Sequence, residues 1–280
     1  MQILTALQLI HSRLAPLSDT PAMDAQILLA HILGKPRPWI IAHSEASLSV
    51  SEISTLEKDL MRMEDGLPLP YLIGKWEFFG LAFKINQAVL IPRPETEAMV
   101  EWVLKWIKSH PSRRLGIDIG TGSGCIAVSL LASTKELVFI ASDISPDALH
   151  LARQNAQIHH VAQRISFVQS ELFPATCTRY DIICANLPYI PNKTLKSLPV
   201  YGREPTIALN GGRDGLKLIK PLIQTAPRYL ADGGILLCEI EAGQGKSVRS
   251  LAQKTFPGVN IQILPDLAGH DRLLIVDGKR

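Results

Sequence analysis

Seven residues constrain the fold of this chain most: Asp118-Ile119-Gly120-Thr121-Gly122-Ser123-Gly124. They follow a short apolar run at 115–119 and open a helical stretch at 123–132. Glycines at alternate positions permit a tight turn and let a ligand approach the backbone closely. The spacing is not the G-x-G-x-x-G of dinucleotide enzymes, and no Lys-Ser/Thr ends it as in a P-loop. A strand, a Gly-rich turn and a helix are how an open α/β sheet begins, and the rest of the chain continues the pattern. Apolar strand runs are expected at 137–142, 165–169, 181–185, 234–240, 259–264 and 272–276. Amphipathic helices are expected at 94–109, 146–158, 214–230 and 244–254, with a long polar loop from 186 to about 213. This alternation predicts a mostly parallel sheet with helices on both faces.

The residues ahead of that pattern read differently. Leu4, Leu7, Ile10 and Leu14 recur at helical spacing. Asp19-Thr20-Pro21 is a helix start, and the stretch from Met23 to Leu33 stops at Gly34. Ser49 with Glu52 forms a capping-box pattern ahead of Ile53, Leu56 and Leu60. Residues 1–70 are therefore expected to be a small all-helical domain. The aromatic, alternating segment 76–85, with Gly80 at its middle, reads as a β-hairpin, so 71–92 is expected to be a connector and 93–280 the α/β domain.

Charge and composition exclude several classes. Residues 1–80 hold six Lys/Arg and nine Asp/Glu, net −3, against +3 for the whole chain, so the remainder is net +6. Neither part carries the dense basic stripe of a nucleic-acid binder, and direct nucleic-acid binding is not expected. No apolar run is long enough to cross a bilayer, and Met1-Gln2-Ile3-Leu4 does not begin a signal peptide, so a cytoplasmic protein is expected. The four cysteines lack C-x-x-C spacing, and three lie in apolar runs, as expected of buried free thiols. The eight histidines show no metal-ligand spacing, and His159-His160 falls at a helix end facing solvent, so no metal is expected. No heptad or long amphipathic seam calls for a dimer, so a monomer is expected.

Two further signals carry chemistry. Asp143 ends the next strand about twenty residues past the Gly-rich turn, where a carboxylate suits two ribose hydroxyls; Ser145 is available as the cap of the following helix. Asn186-Leu187-Pro188-Tyr189 follows the strand at 181–185, at the carboxyl end of the sheet. The Asn186 oxygen and the Leu187 carbonyl can each accept one N–H of a planar amide. Pro188 fixes the backbone between them, and Tyr189 offers an aromatic face.

Gly120 to Gly124, Asp143 and Asn186 to Tyr189 resemble the motifs of class I methyltransferases that use S-adenosylmethionine. More narrowly, the chain resembles the HemK family, the protein-(glutamine-N5) methyltransferases of peptide chain release factors. The resemblance extends to Leu90-Ile91-Pro92-Arg93-Pro94-Glu95-Thr96-Glu97, to Glu77-Phe78-Phe79-Gly80-Leu81, to Gly211-Gly212-Arg213-Asp214-Gly215-Leu216 and to Asp266-Leu267-Ala268-Gly269-His270-Asp271-Arg272. It implies a Rossmann-like methyltransferase domain behind a helical partner-binding domain, S-adenosylmethionine as cofactor and release factors as protein substrate. It implies that Gly120, Thr121, Gly122, Ser123, Gly124, Asp143, Glu171, Leu172 and Asn186 bind the cofactor, with Glu171 and Leu172 flanking the adenine. Asn186, Leu187, Pro188 and Tyr189 would hold the glutamine amide. The family's usual N-P-P-Y is here N-L-P-Y, a string that also resembles adenine N6-methyltransferases acting on RNA or DNA, and that alternative stands beside the first.

Overall fold

The computed structural model describes residues 1–175 and 177–278; the last two residues of the expected 93–280 span lie outside them. The chain divides into two compact units, Met1–Lys75 and Trp76–Arg280. The first contains five helices: α1 (Ile3–Leu14), α2 (Pro21–Leu33), α3 (Arg37–Ala42), α4 (Val50–Glu64) and α5 (Leu69–Ile73). The 3.6-residue spacing of apolar positions puts Ile3, Ile10 and Leu14 in one core with Leu28, Leu29, Leu56 and Leu60. Arg13 ties α1 to α4 through Glu57 at 2.6 Å and Glu64 at 2.7 Å. The Ser49–Glu52 capping box forms as the sequence predicts, and Gly34 ends α2 with a left-handed φ of 61°.

The second unit opens with a two-stranded antiparallel ribbon, β1 (Lys75–Phe78) and β2 (Leu81–Lys84). A 3-10 turn at Pro94–Thr96 leads into α6 (Glu97–Ser109). The main sheet then builds from β3 (Leu115–Ile119), β4 (Val138–Asp143), β5 (Ile165–Gln169), β6 (Tyr180–Ala185), β7 (Leu230–Glu239), β8 (Asn260–Pro265) and β9 (Asp271–Asp277). Its order is β5-β4-β3-β6-β7-β9-β8, with the first five parallel and β9 antiparallel to both neighbours. The connecting helices are α7 (Cys125–Ser133), α8 (Pro146–Ile158), the one-turn α9 (Asn192–Leu195) and α10 (Thr206–Leu209), α11 (Ile219–Thr225) and α12 (Gly245–Thr255).

Two expectations from sequence are corrected. The helix expected over 214–230 is only seven residues of α11 followed by a 3-10 turn. Residues 211–215 stay irregular because this loop lies on the main chain of Tyr189. A Cβ on Gly215, at φ +76°, would stand 2.1 Å from the Tyr189 carbonyl oxygen. The strand expected from 234 starts four residues earlier, at Leu230, across an irregularity in its pairing with β6. Among the cysteines, Cys125, Cys184 and Cys238 are buried and Cys177 is exposed.

Asn155 on α8 is fully buried and joins three segments. Its amide nitrogen donates to the carbonyls of Lys84 on β2 (2.9 Å) and Ser123 in the Gly-rich turn (2.8 Å), and its oxygen accepts the Lys84 N–H at 2.8 Å. Removing it strands three backbone groups away from water. Asn155→Ala is expected to lower stability by about 2–4 kcal/mol, read from urea unfolding; an unchanged midpoint would show the backbone groups are satisfied by other means.

Candidate active site

The sheet order reverses between β3 and β6. From β3 the chain adds β4 and β5 on one side, then returns to lay β6 and β7 on the other. The loops leaving β3 and β6 therefore diverge and open a crevice at the carboxyl ends of the strands. The register pairs Ile119 with Ala185, so Gly120 and Asn186 leave the sheet at the same level. They pack directly: a Cβ on Gly120, whose φ is +72°, would meet the Leu187 side chain at 3.0 Å. The resulting cleft encloses about 340 Å³, within the roughly 300–1,000 Å³ typical of small-molecule sites.

One end of the cleft is acidic. The Gly122 N–H donates to Asp143 Oδ2 at 2.9 Å, and the Ser145 N–H to Asp143 Oδ1 at 2.9 Å. Asp143 thus braces the Gly-rich turn while Ser145 caps α8 by accepting the Ala148 N–H. Each Asp143 oxygen keeps a second lone pair for a hydroxyl donor. Beneath the turn, Asp118 Oδ2 accepts from the Thr121 hydroxyl at 2.6 Å and the Ala127 N–H at 3.3 Å, while its Oδ1 is buried with no partner among the described residues. Burial raises the Asp118 carboxyl from 3.8 to about 6, against the pull of those two hydrogen bonds. Burial also raises Asp143.

The other end holds a compact polar cluster around Glu239, the last residue of β7 and 2% exposed. The Thr96 hydroxyl donates to Glu239 Oε2 at 2.6 Å, and the Tyr189 hydroxyl donates to Oε1 at 3.0 Å. Asn186 Nδ2 lies 3.0 Å from both Glu239 Oε2 and Thr96 Oγ1. Those two acceptors are so close together that they share one N–H in a three-centre bond. A carboxylate cannot donate, so nitrogen is the Asn186 atom that faces it, and Oδ1 is turned away. Burial first, then the nearby Glu239 charge, push the Tyr189 phenol far up, so it stays protonated. Beside this cluster, Arg93 pairs with buried Glu204, whose other oxygen accepts the Ile91 N–H at 3.2 Å, fixing the 91–93 strip along the cleft.

Of the residues singled out from sequence, Gly120, Thr121, Gly122, Ser123, Asp143, Glu171, Asn186, Leu187 and Pro188 line this one cleft. Three do not. Gly124 sits at the start of α7 with φ +81°, and a Cβ there would press on Ala152 at 3.2 Å, so its service is helix packing. Leu172 packs on the core of the sheet. Tyr189 turns its hydroxyl to Glu239 and lies on the same core rather than on the cleft wall. The resemblance places the segment holding Thr96 beside the site without singling that residue out, and sequence reasoning missed Glu239. The one available signal for Glu239 was a carboxylate ending an otherwise apolar strand run. Among the described residues, no helix is long and apolar enough to cross a membrane, and no His/Cys/Asp/Glu group is arranged to hold a metal.

Comparison with known proteins follows the same division of the chain. Residues 5–74 match the PrmC N-terminal domain, and residues 98–198 match the Methyltransferase small domain. A release factor glutamine methyltransferase of Moorella thermoacetica is 39% identical over 92% of this chain and 91% of its own length. That of Coxiella burnetii is 37% identical over 98% of each. Among solved structures, the hMettl16 catalytic domain in complex with MAT2A 3'UTR hairpin 6 has a TM-score of 0.59 at 18% identity, covering 85% of this chain and 86% of that one. The N-terminal domain of human METTL16 in complex with SAH has a TM-score of 0.53 at 19% identity, over 90% of this chain and 94% of that one. At those identities the likeness is one of fold, the class I methyltransferase fold.

The raised Asp118 carboxyl has a consequence for stability. A carboxyl whose folded value lies above its unfolded one favours the folded state below about pH 4, and that contribution is lost as pH rises through about 6. Asp118→Asn removes the titration. Relative to this variant, the natural protein is expected to gain up to about 3 kcal/mol between pH 7.5 and pH 4. Urea unfolding of both proteins at the two pH values reads it; a pH-independent difference would mean Asp118 titrates normally.

Proposed function

Because the chain belongs to the release factor glutamine methyltransferase family, we propose that its cleft binds S-adenosylmethionine and presents a release-factor glutamine amide to it. The observation that carries this reading is the Asn186 amide, held by its nitrogen so that Oδ1 remains to accept a substrate N–H. Two acceptors are wanted for a planar NH₂ group, and the Leu187 carbonyl, one residue on, makes no hydrogen bond among the described residues. Pro188 locks φ where the chain leaves the clamp.

The donor set of the cleft fits the cofactor. The Asp143 carboxylate has lone pairs for ribose hydroxyls, and open space lies beyond Gly122, at φ +55°. The acidic side chains of Asp143 and Glu171 line this end of the cleft and favour a cation there. When bound, S-adenosylmethionine supplies an electrophilic methyl carbon on a positive sulfur.

The protein's own part is orientation and differential hydrogen bonding. An amide nitrogen is a weak nucleophile because its lone pair is delocalised. As it rehybridises, its hydrogens become more acidic, and the Asn186 oxygen and Leu187 carbonyl bind them more strongly than in the ground state. Holding the nitrogen in line lowers the entropic part of the barrier. No general base is required before transfer, since the nitrogen's proton can pass to solvent water once the methyl carbon–sulfur bond has broken. The helical unit, residues 1–75, suits a protein partner in size and net charge.

The test uses labelled S-adenosylmethionine with purified release factor, and with ribosomal RNA and DNA as parallel acceptors. Label is expected on one release-factor glutamine. Asn186→Ala is expected to slow transfer by about 10²–10³-fold while S-adenosylhomocysteine still binds. Label on nucleic acid alone would move the protein to the adenine class.

A further inference from the structure

Glu239 is a buried carboxyl beside the cleft, and three side chains from two other segments turn toward it. Thr96 comes from the 94–96 turn, and Asn186 and Tyr189 come from the loop after β6. From a third element, Arg272 on β9 donates to Asp266 Oδ2 at 3.1 Å and to the Ile240 carbonyl at 3.4 Å, and its charge favours the ionised form of Glu239. Burial raises the Glu239 carboxyl above its ordinary value; the Thr96 and Tyr189 hydroxyls and then the Arg272 charge work against that rise, and Glu95 adds to it. The Asp266–Arg272 turn, otherwise without a part in the chemistry, thereby supports the carboxylate from behind.

An asparagine amide has two nearly isosteric ends of opposite hydrogen-bonding sense. The reaction read above needs the oxygen end in the cleft. Nothing in Asn186 itself decides which end that is. Its neighbours do: turned the other way, Oδ1 would stand about 3 Å from Glu239 Oε2, with two acceptors face to face. We propose that Glu239 is a positioning residue that sets the sense of the Asn186 amide, so that the cleft presents an acceptor rather than a donor to the substrate nitrogen. Thr96 shares the same N–H and assists, but its hydroxyl can both donate and accept, so it cannot enforce the sense alone. This proposal rests on the function proposed above.

The decisive experiment exchanges isosteric groups across the pair. In Glu239→Gln, the new amide can donate to Asn186, and the Asn186 side chain is free to turn its nitrogen into the cleft. kcat is expected to fall by about 10²–10³-fold, with the KM for release factor, S-adenosylhomocysteine affinity and thermal midpoint little changed. Asn186→Asp alone sets two carboxylates against each other and should be similarly slow. In the double variant Asn186→Asp/Glu239→Gln, the introduced amide donates to one oxygen of the introduced carboxylate, and the other oxygen faces the cleft. Its kcat should recover at least about tenfold over Asn186→Asp, a rescue that a merely structural Glu239 would not give. Thr96→Val, which leaves the carboxylate in place, should cost less than about tenfold. A double variant no faster than Asn186→Asp, or a Glu239→Gln enzyme with normal kcat, would overturn the proposal. If Asn186→Ala is slow while Glu239→Gln is normal, only this inference fails. If Asn186→Ala turns over normally, the functional reading beneath it fails.

Discussion

The parallel pairing of β3 with β6 is the constraint on which the rest of the site depends. These strands are neighbours in the sheet but are separated in sequence by two βα units, because β4 and β5 are laid down on the far side first. Their common register brings Gly120 and Asn186 out of the sheet at the same level. The contact of Gly120 with Leu187 leaves no room to separate the two segments. A shift of one residue in that register would turn every side chain of β6 to the opposite face and carry Asn186 off the cleft.

What was legible in the sequence is what local chemistry dictates. The alternation of apolar runs and amphipathic stretches specified the sheet and its helices, and a Gly-rich turn between strand and helix can stand only at a strand's carboxyl end. Asn186 and Asp143 were findable because their neighbours in sequence supply most of their context. The Glu239 cluster was not, since its other members lie 50 to 143 residues from Glu239 and meet only after the sheet has formed. The helix start expected at Asp214 was misread for a related reason. The chain stays irregular there because Gly215 lies against the Tyr189 main chain, which no window of local sequence contains. Leu172 and Tyr189 were singled out from position in a motif, but motif position does not say which way a side chain turns.

The site departs from ordinary core chemistry in a consistent way. Asp118 has a buried oxygen without a partner among the described residues, and Glu239 is a buried carboxylate with only hydroxyl and amide donors in contact and an arginine held at a remove. Both cost stability relative to apolar residues of similar size. The apolar layers of the sheet on either side, with Ile117, Ile183, Leu236 and Leu274 fully buried, supply the surplus against which such costs are tolerable.

The order of the last three strands bears on how the chain acquires its structure. β9 lies between β7 and β8, antiparallel to both, although β8 precedes it in sequence. As the chain emerges during synthesis, β8 has no sheet neighbour until the strand after it arrives to separate it from β7. Glu239 on β7 likewise meets the charge of Arg272 only then. The five parallel strands can assemble in the order they are made, and the hydrogen-bond partners of Glu239 precede the final strand in sequence; only the charge of Arg272 comes with that strand.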